Sequence, residues 1–330
     1  MDAKSTFRLG IAFAVGSALT FGMSGPFAKA LMAAGWTPNA AVTARLAGGA
    51  LVMALAATLI HRSWLREAVQ HGKTVLVYGL IPIAGAQLCY YNAVAHLSVG
   101  VALLLEYLAP VLVVGWLWAT TRRRPGTLTL AGAALALAGT VVVLDVFSGT
   151  QVDAVGVAWA LGAAICAACY FLLSDRVAAD GSGLHSVTLA ASGLIVGAAA
   201  VAALGMTGVL PLTFTTNDTV VAGHTTSFVV PVVVLGVVST AIAYTLGISG
   251  VARLRPSYAS LMGLGEVLCA VVAAWVLVGE AFTPAQAVGG VVVLLGLALA
   301  GRDDTQRAAV WPDAPPAEVV DQLFTTGNHV

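Results

Sequence analysis

The sequence predicts an all-α integral membrane protein, with ten transmembrane helices arranged as two inverted five-helix repeats (5+5). Three observations carry this. The 330 residues are 59% hydrophobic and only 9% charged, with a mean hydropathy of +0.94, whereas a soluble domain carries about 25% charge. Ten apolar runs of roughly span length follow one another, and about 20 apolar residues cross a bilayer. The second half of the chain repeats the first. The runs are continuous rather than alternating, which argues against a strand barrel. Zero net charge leaves no basic surface for nucleic acid.

In order, the runs are α1 (9–31), α2 (39–60), α3 (74–95), α4 (98–119), α5 (127–146), α6 (155–174), α7 (186–208), α8 (228–251), α9 (256–278) and α10 (284–301). The apolar run of α1 follows Lys4 and Arg8 and continues to about Ala33, so it reads as a first span rather than a cleaved signal. Pro26 lies inside α1, and Pro110 removes a backbone hydrogen bond from α4, where it can kink the helix. In α7, Gly193-xxx-Gly197 has the spacing of close helix packing. Residues 209–227 form a polar outer loop holding the sequon Asn217-Asp218-Thr219. Cys89, Cys166, Cys169 and Cys269 all lie in apolar runs, where thiols act as small fillers. The Cys166-xx-Cys169 pair has no nearby His or second pair to make it a metal or redox centre. From Arg302 the chain turns polar, with Pro312, Pro315 and Pro316, and reads as a disordered cytoplasmic tail. The organisation is therefore a short N-terminus (1–8), a first repeat (9–146), a second repeat (155–301) and a tail (302–330).

The repeat shows at two anchors. At an offset of 157 positions, Leu97, Ala102, Leu104, Val114, Trp118, Gly132, Leu137 and Gly139 meet identical residues at 254, 259, 261, 271, 275, 289, 294 and 296. GIAFAVGSA (10–18) aligns with GVAWALGAA (156–164) at an offset of 146. Five helices is an odd number, so the two copies enter the membrane from opposite sides. Such repeats are a frequent transporter plan, with the substrate site between them near mid-bilayer.

Sidedness follows from Lys and Arg placement. With the N-terminus inside, the inner segments hold Lys4, Arg8, Arg62, Arg66, Lys73, Arg122, Arg123, Arg124, Arg176, Arg253, Arg255, Arg302 and Arg307. The remaining two basic residues, Lys29 and Arg45, lie within α1 and α2. No outer loop carries a Lys or Arg. Both termini are therefore expected in the cytoplasm.

Charges within a bilayer cost roughly 2.5–3.5 kcal/mol each on insertion scales and are functional by default. Four lie inside the spans: Lys29, Arg45, Glu106 and Glu266. At 1.5 Å per residue, Glu106 is ~12 Å and Arg45 ~9 Å from the outer ends of their helices. Lys29 is shallower and able to snorkel outwards. The group reads either as a charged cluster lining an outward cavity or as a structural ion pair between α2 and α4. Glu266 is central in α9, with no cation at matching depth in its repeat. It reads as a proton-coupling or cation-binding acid, or as an acid hydrogen-bonded between helices. Glu280 reads as a solvated residue at the outer end of α9. Gln87, Tyr90, Tyr91 and Asn92 crowd α3, with Tyr107 after Glu106 and Tyr244 in α8. These offer hydrogen bonds and ring faces to a small polar or cationic solute.

Enzyme motifs fail on inspection. Gly22-Met23-Ser24-Gly25 fits the GxSG of intramembrane serine proteases, but a nucleophilic serine needs a positioned base. The six histidines lie in loops, at helix ends or in the tail. Gly72-Lys73 lacks the rest of a Walker loop, so ATP hydrolysis has no site.

At this point the sequence resembles the drug/metabolite transporter superfamily, EamA family. The likeness runs over about 9–301. It is carried by the Lys29 and Arg45 positions, by GVALLLEYLAPVLVV (100–114) and above all by ASLMGLGEVLCAVVAAWVLVGEAFTPAQAVGG (259–290). In the last, Glu266, Trp275, Gly279, Glu280, Thr283, Gln286 and Gly289 match the family's second-half signature. Val267 departs from the proline common there. LEYLAP resembles the arrangement in the family's threonine/homoserine exporters. The resemblance implies ten helices, both termini cytoplasmic, no ATP, and export of a small metabolite such as an amino acid; no cofactor or metal is expected. The substrate-contact candidates are Glu106, Arg45, Lys29, Gln87, Tyr90, Tyr91, Tyr107 and Tyr244, with Glu266 as a coupling or structural acid. Efflux of hydrophobic or cationic drugs and a non-transport scaffold are the alternatives. The expected partners are a small-molecule substrate and the lipid bilayer, with protons as candidate coupling ion and a homodimer as candidate assembly. The expected location is a bacterial inner membrane.

Overall fold

A computed structural model describes residues 3–122, 124–144, 153–179, 184–251, 256–281 and 283–310. It is predominantly helical. Seven helices are long and apolar enough to cross a membrane: Leu9–Ala33, Pro38–Ile60, Gly72–His96, Val99–Thr121, Ala154–Leu173, Ser186–Met206 and Val229–Gly247. Shorter apolar helices occupy Thr127–Val143, Gly265–Val278 and Pro284–Ala300. Large apolar side chains face outwards in helical stripes: Leu51, Leu55 and Leu59 on α2, and Val288, Val291 and Leu295 on α10. Apolar patches on this scale suit lipid and not water.

Several helices are interrupted where the sequence suggests one continuous run, and prolines explain three cases. Helix α1 is two pieces, Ala3–Gly22 and Ser24–Ala33, parted at Met23. Pro26 cannot donate to the Gly22 carbonyl four residues back, and its ring crowds that carbonyl. Helix α4 breaks fully rather than kinking: Val99–Glu106 and Ala109–Thr121 are separated by Tyr107 and Leu108. There Pro110 leaves the Glu106 carbonyl without its ladder donor. Helix α3 widens into a π-helical stretch, Gly79–Gly85, around Pro82. Helix α8 does the same over Val234–Ile242. Such π segments recur at functional sites.

The repeat is visible in the packing. Helix α5 lies along α10 and α2 along α7, each against its own repeat mate. The remaining large contacts come in matched pairs: α1 on α8 mirrors α6 on α3, α1 on α9 mirrors α6 on α4, and α2 on α8 mirrors α7 on α3. Gly132 abuts Gly296 and Gly139 abuts Gly289, so α5 and α10 run antiparallel. A Cβ on Gly132 would lie 2.5 Å from Ala300 N. Even the helix ends correspond. Arg122 (φ 57) and Gly279 (φ 71), 157 positions apart, close α4 and α9 with the same left-handed residue.

Two helix ends need correction, and the 209–227 loop has structure of its own. It folds a hairpin, Thr219–Val221 paired antiparallel with His224–Thr226, turning on Ala222 and Gly223 at positive φ. The loop lies over the α1–α2 turn. Trp36 Nε1 donates to Thr215 O, Thr37 N to Thr213 O, and Asn217 Nδ2 to Ala34 O, so the sequon amide is already engaged. Helix α10 continues to Val310 instead of giving way at Arg302; the rest of the tail, 311–330, lies outside the described residues. Helix α6 likewise runs on to Ala179. Arg123, Arg253 and Arg255 lie outside the described residues.

Candidate functional site: a buried arginine beside two acids

Arg45 stands at the centre, on α2, with 3% of its surface exposed. Its position follows from glycines. Gly48 meets Gly236 of α8 backbone to backbone; a Cβ on Gly48 would lie 3.1 Å from Gly236 Cα. That approach brings the π-helical stretch of α8 onto the guanidinium. Arg45 Nε donates to Thr240 Oγ1 at 3.1 Å, and Nη2 to the Ser239 carbonyl at 3.0 Å. Nη1 donates to Gln87 Oε1 at 2.7 Å, to Tyr91 Oη at 3.3 Å and to Ser24 Oγ. The guanidinium carbon also lies 5.7 Å from the Tyr91 ring centroid. Every one of these partners is neutral. Thr240 in turn donates to the Leu235 carbonyl, five residues back in the π-helical ladder.

The acids stand beside this cage and not in it. Glu106 ends the first piece of α4 and makes no hydrogen bond or ion pair among the described residues. The structural ion pair between Arg45 and Glu106 does not form. Glu266, in α9, accepts a hydrogen bond from Tyr107 Oη at 2.8 Å. Glu106, Tyr107, Gln87 and Glu266 stay partly accessible, while Tyr90 and Tyr91 are buried. Tyr90 presses its hydroxyl against Gly25. Tyr244 meets Phe21 edge-on at 5.2 Å.

Lys29 does not join this group. Its ammonium pairs with Glu280 Oε1 and donates to the Leu97 carbonyl at 3.2 Å. The other oxygen of Glu280 accepts from Val99 N at 2.9 Å, capping α4. Glu280 is thus a tie between the repeats, not a solvated end residue. Beyond it, the buried run Val99–Leu105 contrasts with residues 115–119, all five of which are exposed. Five consecutive residues at 100° each go round the whole helix, so this end of α4 is unpacked on every side.

A second tie lies at the opposite end. Glu67, in a short helix (Trp64–Gln70), accepts from Thr188 Oγ1 at 2.6 Å and from His185 N at 2.6 Å, and meets His61 Nε2 at 2.9 Å. Partial burial works against its ionised form. The Thr188 hydroxyl, the His185 amide and His61 outweigh this and hold its carboxyl below the usual range.

Sequence reasoning missed Ser24, Ser239 and Thr240. Ser24 stood inside a protease-like motif; Thr240 is a small hydroxyl in an apolar run and Ser239 meets the cation through its backbone carbonyl, so neither gave a local signal.

The chain matches the EamA-like transporter family over residues 8–145 and again over 154–302. It belongs to that family, within the drug/metabolite transporter superfamily. Members of the EamA family are transporters, and this one is a multi-pass membrane protein. It is 27% identical over 256 residues to the threonine/homoserine exporter RhtA of Escherichia coli K12, covering 75% of this chain and 77% of RhtA. It is 22% identical over 237 residues to the uncharacterized inner membrane transporter YicL of Salmonella typhimurium LT2, covering 71% and 75%. One solved crystal structure superposes with a TM-score of 0.60 at 22% identity, over 94% of this chain and 99% of its own, and shows the fold alone.

Proposed function

We propose that this EamA protein is a secondary transporter that exports a small metabolite, an amino acid or a close relative, by alternating access. One observation carries the reading. A buried guanidinium held by neutral groups and an acid without a partner among the described residues both lie on first-repeat helices that pack against the second repeat. A zwitterion complements that arrangement. Its ammonium pairs with Glu106, and its carboxylate answers the Arg45 charge once Gln87 or Ser24 gives way. Gln87, Tyr107 and Tyr244 line the approach. Glu266, held by Tyr107, is the acid placed to carry a proton. The identity to a threonine/homoserine exporter supports the substrate class.

The seven long and three shorter apolar helices support ten spans. The mirrored contacts support two inverted repeats. The Lys/Arg distribution supports cytoplasmic termini. The buried outer half of α4 and its exposed inner half support a conformation open to the cytoplasm.

The test is threonine uptake into inverted membrane vesicles. Glu106→Gln lowers uptake at least tenfold if Glu106 holds the ammonium; unchanged uptake across amino acids removes that role. A second reading, efflux of lipophilic cations, draws on the same partnerless carboxylate and the tyrosine rings. Growth of overexpressing cells on toxic amino-acid analogues and on lipophilic cations separates the two.

A further inference from the structure

The π-helical stretch of α8 departs from an ordinary helix at Ser239 and Thr240, the two residues it turns on Arg45. The N–H groups that end the stretch go to the Val238 and Thr240 carbonyls. The Ser239 carbonyl between them accepts Arg45 Nη2 at 3.0 Å instead. Elsewhere a helical hydroxyl bonds the carbonyl four residues back, as in Thr43, Thr140, Ser192 and Thr245. Thr240 reaches one residue further, to Leu235 O at 2.8 Å, and its oxygen accepts Arg45 Nε. That leaves Ser239 Oγ fully buried and without a hydrogen-bond partner, alone in this among the described residues.

The orphan hydroxyl has a partner in the other register. In an α-helix the fourth residue after Leu235, Ser239, takes the place over its carbonyl that the fifth, Thr240, holds in the π form. Ser239 Oγ then bonds Leu235 O and receives Arg45 Nε. The Ser239 carbonyl joins the ladder through Ala243 N and leaves Nη2. Two features permit the exchange. No proline lies in Val234–Ile242, whereas the matching π stretch of α3 contains Pro82. Gly49 of α2 faces Thr240 with no side chain of its own, so either residue fits there.

We propose that Val234–Ile242 is a register switch that hands Arg45 Nε from Thr240 to Ser239 and frees Nη2 for a carboxylate ligand. Gln87 stands on Nη1 and is partly accessible. Once it gives way too, Nη1 and Nη2 form the planar fork that takes both oxygens of a carboxylate. The ligand class rests on the transport reading; the register does not.

The experiment uses the full-length protein in lipid nanodiscs. It reads melting, hydrogen exchange of the peptide spanning 234–244, and binding of threonine, with threoninamide as the probe lacking a carboxylate. Ser239→Ala keeps the carbonyl that Arg45 uses and removes the hydroxyl satisfied only in the α register. Its exchange is expected to slow, and its threonine affinity to fall, by about fivefold each, the size of one net hydrogen bond. Its melting temperature is expected to hold or rise. Thr240→Val removes the π-form grip; its melting temperature is expected to fall and its exchange to quicken, with threonine affinity kept or raised. Unchanged or faster exchange in Ser239→Ala, or losses of the same sign in both variants, overturns the switch. Equal binding of threoninamide overturns the carboxylate assignment. A parent protein that binds no threonine counts against the transport reading alone, because exchange and melting are read without ligand.

Discussion

Tyr107 donates its phenolic hydrogen to Glu266 at 2.8 Å and so joins the break in α4 to the centre of α9, across 159 positions of sequence. The residue that follows Glu106 thus restrains the other acid. Tyr107→Phe removes the donor and keeps the ring. It is expected to lower stability by about 1–3 kcal/mol and to alter the pH dependence of transport, since Glu266 then titrates without its partner. Thermal unfolding and flux measured across pH check this.

Arg45 meets five neutral acceptors in a planar fork that an ammonium does not reproduce. Arg45→Lys is expected to leave several buried acceptors without donors, costing about 1–3 kcal/mol for each one left unsatisfied. Transport is expected to fall at least tenfold even where the protein remains folded. Detergent melting and flux, measured together, separate the two effects.

The Lys29–Glu280 pair links α1 of the first repeat to the end of α9 in the second. Lys29→Glu and Glu280→Lys are each expected to weaken this closure by setting like charges together. The double exchange is expected to recover much of the loss. Glu280 also caps α4 through Val99 N, so Glu280→Lys is expected to be the more damaging single change. A double-mutant cycle on melting temperature measures the coupling.

Glu67 ties the α2–α3 connection to the start of α7. Its carboxyl titrates below the usual range, so its contribution is present at neutral pH and is lost as pH falls through the lowered folded-state value. Glu67→Gln is expected to be less stable than the parent at pH 7, and the gap is expected to close in acid, below the ordinary carboxylate range. Melting curves from pH 7 to pH 3 show the convergence.

Gly132 and Gly296 let α5 and α10 touch along their backbones. Gly132→Leu is expected to force the helices apart, costing about 1–3 kcal/mol or more and broadening the elution profile. Gly115 has nothing within 4 Å of an added Cβ, so Gly115→Leu is expected to be tolerated.

Much of the fold could be read from the chain, because span length and residue spacing are properties of a line. The helix positions, the repeat and the placing of Arg45, Glu106 and Glu266 within apolar runs all follow from the linear sequence. The breaks were legible only in part. Pro26 and Pro110 mark where a ladder bond is missing, but whether a helix kinks or parts depends on what packs against it. The hairpin in 209–227 was hidden because its short strands lie in a polar loop with no apolar alternation. Lys29 and Arg45 are both cations inside spans, and sequence depth alone did not name their partners. One lies beside Glu280, 251 positions away, and the other is closed in by α8.

The sequence by itself determined that this is a duplicated membrane protein with a few charged residues placed inside its spans. Hydropathy and charge are carried by each residue wherever it ends up, so they survive in one dimension. Only the tertiary structure decided which groups hold those charges: neutral hydroxyls, an amide and a carbonyl around Arg45, Tyr107 on Glu266, Glu280 on Lys29, and no partner among the described residues for Glu106. Hydrogen bonds reach only about 3 Å, and that proximity is set by how glycine-lined helices cross.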